Sequence, residues 1–198
     1  MQKTHCTGPR YARPLLAALS ITMNKSEYEE LVGSLIGEEI HKVEYFEINY
    51  EGYETDFSGS ECFDSLDYGT NLHMVSGQVF GFIWGDEFFQ YGVSILKAPL
   101  QSEVSECREI DVSKSKNWKS LIGKAITNTQ IDWGWVKESG IFKKKIYYPQ
   151  SIVLNFEGGG LVIISALEVQ DDTHFGMADN ITVFFDEPNA VKYGALNA

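Results

Sequence analysis

The side chains best suited to acid–base or metal work are four histidines, at positions 5, 41, 73 and 174. No two of them stand at the spacing of a helical or hairpin ligand pair, and no His-Glu-x-x-His run occurs. The densest local cluster is His174 beside Asp171 and Asp172. It would need a further, distant ligand to hold a divalent ion, and it reads more simply as a polar loop. Cys6, Cys62 and Cys107 are isolated, with no Cys-x-x-Cys among them. A cysteine–histidine dyad would therefore have to be assembled by the fold. Ser58-Gly59-Ser60 lacks the Gly-x-Ser-x-Gly pattern of a serine elbow. Gly158-Gly159-Gly160 lacks the Lys-Ser/Thr that follows a phosphate loop, and it joins two apolar runs rather than a strand and a helix. The acid pairs Glu38/Glu39, Asp86/Glu87 and Asp171/Asp172 would serve glycoside hydrolysis only if two carboxylates met across a cleft, which adjacency in sequence does not establish. The sequence thus predicts no catalytic residue, no metal and no cofactor.

Recognition is better represented than catalysis. Aromatic residues make up 13% of the chain, enough to look for a carbohydrate or peptide platform, and Trp133 and Trp135 lie two apart on one prospective strand face, where core packing is the simpler reading of the pair. The chain carries 28 acidic and 16 basic residues, a formal charge of −12. Lys3, Arg10 and Arg13 fall in residues 1–22, which hold no acid, so the remainder sets 13 basic against 28 acidic residues, or −15. Such a charge repels nucleic acid and anionic lipid and favours a basic partner. The candidate partner-binding residues are Asp86, Glu87, Asp171 and Asp172, in the prospective loops, together with Trp133 and Trp135.

These residues need elements to position them, and the clearest is a hairpin. Ile152, Leu154 and Phe156 alternate with Val153, Asn155 and Glu157, the three glycines 158–160 turn the chain, and an apolar run from Leu161 to Ala166 returns, buried on both faces. Ser26-Glu27-Tyr28-Glu29 fits a capping box and predicts a helix ending near Gly37. From Glu38 to Tyr50 the period shifts to two, with a change of face that predicts a β-bulge or a strand buried at both ends. Residues 51–70 show neither period and read as a long loop or irregular edge. Phe80, Phe82 and Trp84 lead through Gly85-Asp86-Glu87 to Val93 and Ile95, a second hairpin. Ile110 and Val112 suggest a short strand, and Ser113 or Ser115 would cap a second helix through Trp118 to Gly123. Ile126 to Val136 and Ile181 to Phe185 are further strands, residues 170–174 a polar loop, and the tail from Asn189 should fray.

The fold class expected is α+β, mostly antiparallel sheet with two short helices. Residues 1–22 read as a disordered extension, with Met23 as an alternative start to Met1, and 23–198 as one domain. Ser34-Leu35-Ile36-Gly37 recurs as Ser120-Leu121-Ile122-Gly123, and the glycines of the two hairpin turns, Gly85 and Gly158, follow in the same order. That order allows two similar halves, 23–112 and 113–198. No run approaches the length of a membrane helix, and odd, isolated thiols suit a reducing cytoplasm.

The C-terminal pattern resembles small acidic bacterial immunity proteins that accompany polymorphic toxins. It runs from Tyr148-Pro149 through Ile152–Phe156, the glycine turn and Leu161–Glu168 to Asn180–Asp186. The resemblance implies a cytoplasmic protein that binds and neutralises a cognate toxin, and it carries over no individual site residue. Charge gives the same expectation by a separate route, since toxins that act on nucleic acid are basic. The alternatives are an enzyme with a dispersed active site and a ligand-binding module.

Overall fold

The computed structural model describes residues 23–49, 54–57, 62–89, 91–100, 107–137, 144–170 and 173–197. The proposed extension 1–22 therefore lies outside the described residues, as do Asp171 and Asp172. The first helix, α1 (Lys25–Gly33), starts two residues earlier than a cap at Ser26 implies. Asn24, not Ser26, is the N-cap and forms a reciprocal capping box with Glu27. Leu35 to Gly37 form a turn beyond the helix rather than its last residues.

Among the described residues ten strands follow, in two five-stranded antiparallel sheets. They are β1 (Ile40–Ile48), β2 (Phe63–Leu66), β3 (Gly69–Met74), β4 (Val79–Gly85), β5 (Gly92–Leu96), β6 (Cys107–Asp111), β7 (Ile126–Lys137), β8 (Lys145–Phe156), β9 (Leu161–Gln170) and β10 (Thr173–Phe184). The first sheet has the order β5-β4-β3-β1-β6 and the second β2-β10-β9-β8-β7. Both predicted hairpins are present, as β4–β5 and β8–β9. Within the stretch 51–70, expected to be a loop or irregular edge, residues 54–57 have no regular structure, and Phe63–Leu66 form β2, an edge strand of the second sheet. The predicted helix through Trp118 is a single 3-10 turn, Trp118–Ser120, and His174 lies in β10 rather than in a loop. The bulge in β1 falls between Ile40 and Lys42, earlier than the change of face placed it.

The two sheets face one another across a shared core that draws Val43, Phe80, Phe82, Val93 and Ile95 from the first and Ile152, Leu154, Val162, Ile164 and Val183 from the second. Four strands of each sheet correspond in order: β1, β3, β4 and β5 with β7, β8, β9 and β10. The correspondence extends to individual hydrogen bonds. Gly37 N–H donates to Ile126 C=O and Gly123 N–H to Ile40 C=O, both at 2.8 Å, and each atom lies 86 residues from its counterpart. Both glycines have positive φ, 90° and 77°, a conformation that side-chain-bearing residues rarely adopt. The Glu39–Ala125 bridge lies between these two bonds. The turn Met74–Gln78 matches Phe156–Gly160 bond for bond, 82 residues apart, so the counterpart of the glycine turn is Gly77 and not Gly85. The fifth strands break the correspondence: β6 is added beside β1, but β2 beside β10.

The outer face of the second sheet is covered by a second helix, α2 (Glu187–Lys192), and the chain after it. Asp186 caps α2 by accepting from Asn189 N–H, and Pro188 sits in its first turn, where a missing N–H costs nothing. Tyr193 packs on Phe63 and Phe184, and Ser151 Oγ donates to Ala195 C=O at 2.5 Å. The tail expected to fray is thus docked. Among the described residues no helix is long and apolar enough to cross a membrane.

Candidate partner-binding surface

The two tryptophans singled out by sequence have different surroundings. Trp133 is half-buried and meets Tyr28 of α1 and Phe88 of the β4–β5 connection, with ring centroids 5.8 and 5.3 Å away. Tyr28 and Phe88 themselves lie 5.3 Å apart, so three rings tie α1, the acidic connection and β7 together. Tyr28 also donates its hydroxyl to Val93 C=O of β5 at 2.5 Å. Lys25 Nζ stands 4.6 Å over the Trp133 ring. Trp133 is therefore mainly an anchor of the fold.

Trp135 is 48% exposed and is paired directly across the ladder with Tyr147, also 48% exposed. Side chains directly opposite in an antiparallel pair share a face, with Cβ atoms about 4.5–5.5 Å apart. Gly134, between the tryptophans, lies under the Tyr148 ring, where a Cβ would come within 2.5 Å of ring carbon. The Gly134 position thus lets Tyr148 fold flat on the strand while its neighbours point the other way. Lys145 and Lys137 lie 3.9 and 5.9 Å from the Trp135 ring centroid, in cation–π contact.

The acids Asp86 and Glu87 are exposed and immediately precede the Phe88 ring; Glu29 and Glu30, also exposed, follow Tyr28 on α1. The three-ring cluster therefore brings acids from two distant segments to one end of the sandwich, two residues along β7 from Trp135. Ser94 Oγ donates to Glu87, which fixes that carboxylate. The structure joins Asp86, Glu87 and Trp133 through this cluster, places Trp135 next to it, and leaves Asp171 and Asp172 undescribed. Sequence reasoning missed Tyr147, Tyr28 and the α1 acids. The signal for Tyr147 was its register opposite Trp135, which a bulge between Asp132 and Trp133 shifts.

Two titratable groups on β1 were also missed. Burial opposes ionisation of Glu44, but Lys42 and His73, whose Nε2 lies 2.6 Å away, bring its carboxyl down to about 2. Its hydrogen bond with Glu109 holds that neighbour's carboxyl above the usual range. Among the described residues no three His, Cys, Asp or Glu side chains group as a metal site. At the rim of the core, burial and then the Asp67 charge push Glu47 up to about 8. Burial and Glu47 likewise push Cys107 up to about 11, so that thiol is a poor nucleophile at neutral pH.

Glu47 yields a prediction. Because its folded pKa lies above its ordinary value of 4.5, its contribution to stability is complete below about pH 4.5 and is lost as pH rises to about 8. Glu47→Gln, which keeps the shape of the neutral acid, should therefore match the parent at pH 4 and exceed it at pH 9 by roughly 2–4 kcal/mol. Urea titrations at the two pH values check this, and a gain that is equal at both would refute it. Comparison with known proteins finds no matching family model, no matching curated protein and no matching solved structure.

Proposed function

We propose that the chain is a cytoplasmic, immunity-type inhibitor that binds and neutralises a cognate basic toxin. The observation that carries the reading is the adjacency of an exposed aromatic pair, Trp135 and Tyr147, to an acidic end formed by α1 and the β4–β5 connection. Exposed aromatics supply the desolvated centre of a protein interface, and acids around them steer a basic partner into register. Lys137 and Lys145 beside Trp135 add the opposite sign, so a uniformly basic surface would be accepted in one orientation only.

The test begins with the protein as bait in a lysate of its host. A basic protein should be captured, and changing Asp86, Glu87, Asp171 and Asp172 to Asn or Gln should slow its association by roughly tenfold at low salt. Raising the salt should remove most of that difference, since exposed charges are screened beyond about 8 Å at physiological ionic strength. Capture of no basic protein, or capture indifferent to both salt and the four changes, would overturn the reading.

One observation favours a second reading, an enzyme with a dispersed active site. Lys42, Glu44, His73 and Glu109 form a proton-sharing network on the outer face of the first sheet, and His73 remains partly exposed. Such a network is suited to acid–base chemistry. A folded His73→Ala variant that protects against the toxin as well as the parent would remove this alternative.

A further inference from the structure

Between the C-terminal tail and β7, on the outer face of the second sheet, lies a groove of about 360 Å³. Val153 and Leu161 provide apolar lining. Asp132 of β7 and Glu187 of α2 contribute two carboxylates, Gln130 and Asn155 add amide groups, and among the described residues no basic side chain lines the groove. We infer that this groove is the socket for one arginine side chain of the basic partner. The inference rests on the inhibitor reading above and adds to it the site at which a single cation is recognised.

The chemistry of the lining favours arginine. A guanidinium presents five N–H donors in a plane and accepts none, and it needs carboxylate or amide oxygens around its rim and apolar surface along its stem. Two carboxylates and two side-chain amides, each with an oxygen to offer, suit the first requirement, Val153 and Leu161 the second. A neutral ligand would give the two carboxylates no countercharge, and an anionic one would be repelled by them. A lysine ammonium concentrates three donors at a point and spans fewer of the groove's polar groups than a planar guanidinium. The site is also held in advance. Asn197 N–H donates to Asp132 Oδ2 at 3.1 Å, and its side-chain amide donates to Oδ1 and Oδ2 at 2.9 and 3.0 Å. These bonds fix the carboxylate and leave Oδ1 with a free lone pair for a charge-assisted bond. The groove lies on the face of β7 and β8 that Gln130 and Val153 share, so an arginine seated there would hold the partner against the second sheet, separately from the acidic end.

The probe is N-acetyl-arginine-amide, titrated into the full chain and followed by the side-chain amide signals of Gln130, Asn155 and Asn197 in ¹⁵N–¹H spectra. Saturable shifts confined to those signals are expected, with a dissociation constant of about 1–10 mM for so small a ligand. The neutral isostere N-acetyl-citrulline-amide should shift them at least roughly tenfold less, and Asp132→Asn with Glu187→Gln should weaken the arginine probe by a similar factor. Retained dispersion of the backbone spectrum shows that the double variant is folded; the single Asp132→Asn change, which leaves α2 untouched, is the second variant. No saturable shift, equal shifts from citrulline, or shifts spread over the acidic surface and unchanged in the variants would each overturn the socket. None of these results depends on the four acids tested with the captured partner, so the socket and the inhibitor reading fail separately.

Discussion

Replacing Trp118 by alanine is expected to lower the stability of the fold by about 3–5 kcal/mol. The indole is fully buried and meets Tyr45 and Phe185 edge to face, with centroids 6.4 and 5.5 Å away. It also begins a buried chain of hydrogen bonds: Nε1–H donates to the Tyr45 hydroxyl at 2.5 Å, and that hydroxyl donates to Asp64 Oδ2 at 2.9 Å. Tyr45 belongs to the first sheet and Asp64 to β2 of the second, so the chain pins the inserted strand to the opposite sheet. Alanine leaves a cavity and also removes the donor to a buried hydroxyl. Phenylalanine fills most of the volume and removes only the donor, so Trp118→Phe should cost about 1–3 kcal/mol. Denaturant titration separates the two effects. A loss below about 1 kcal/mol for the alanine variant would show that β2 is held by other contacts.

That hydrogen-bond chain also explains which strands sequence could show. The β8–β9 hairpin is legible because Ile152, Leu154 and Phe156 and the run after the glycine turn are apolar wherever the core requires it. β2 is Phe63-Asp64-Ser65-Leu66, and its buried Asp64, 2% exposed, makes sense only beside the Tyr45 hydroxyl, 19 residues away in sequence. β3 interleaves core residues Leu72 and Met74 with Asn71 and His73. Asn71 accepts from Leu100 N–H at 2.8 Å and His73 meets Glu44, so its polar positions are fixed by tertiary partners that no local period reports. α2 was hidden because Pro188 ends a strand as readily as it opens a helix.

The candidate site was legible to a similar degree. Residue type pointed to Trp133 and Trp135, and charge to Asp86 and Glu87. The separation of the tryptophans into a half-buried anchor and an exposed one was not visible, because period two puts both on one face. What divides them is depth along β7: Trp133 lies where α1 and Phe88 cross the strand, and Trp135 lies beyond them, opposite Tyr147. The repeat was visible in the Ser-Leu-Ile-Gly pair, but its hairpins were misaligned, since β4 and β9 begin at turns with different residues, Gly77 and Gly159 being their shared feature.

The division between the tryptophans gives the largest expected effect on binding. Trp135→Ala should weaken binding of the proposed basic partner by about thirtyfold or more, equivalent to roughly 2 kcal/mol, because a half-exposed indole paired with tyrosine is the kind of residue that dominates an interface once desolvated. Its effect on folding should stay within about 0.5 kcal/mol, since the ring lies outside the core. Trp133→Ala should behave in the opposite way, losing about 2–3 kcal/mol of stability as the contacts with Tyr28 and Phe88 are removed. The kinetics should separate aromatic from acidic residues as well. Loss of Trp135 should raise the dissociation rate with little salt dependence, whereas loss of the loop acids should lower the association rate and respond strongly to salt. Tyr147→Ala should resemble Trp135→Ala at smaller size, and the double variant should fall short of the sum by about 0.5–1.5 kcal/mol if the two rings act together. A Trp135→Ala protein that binds as tightly as the parent would move the interface off the β7–β8 ribbon and onto the acidic end alone.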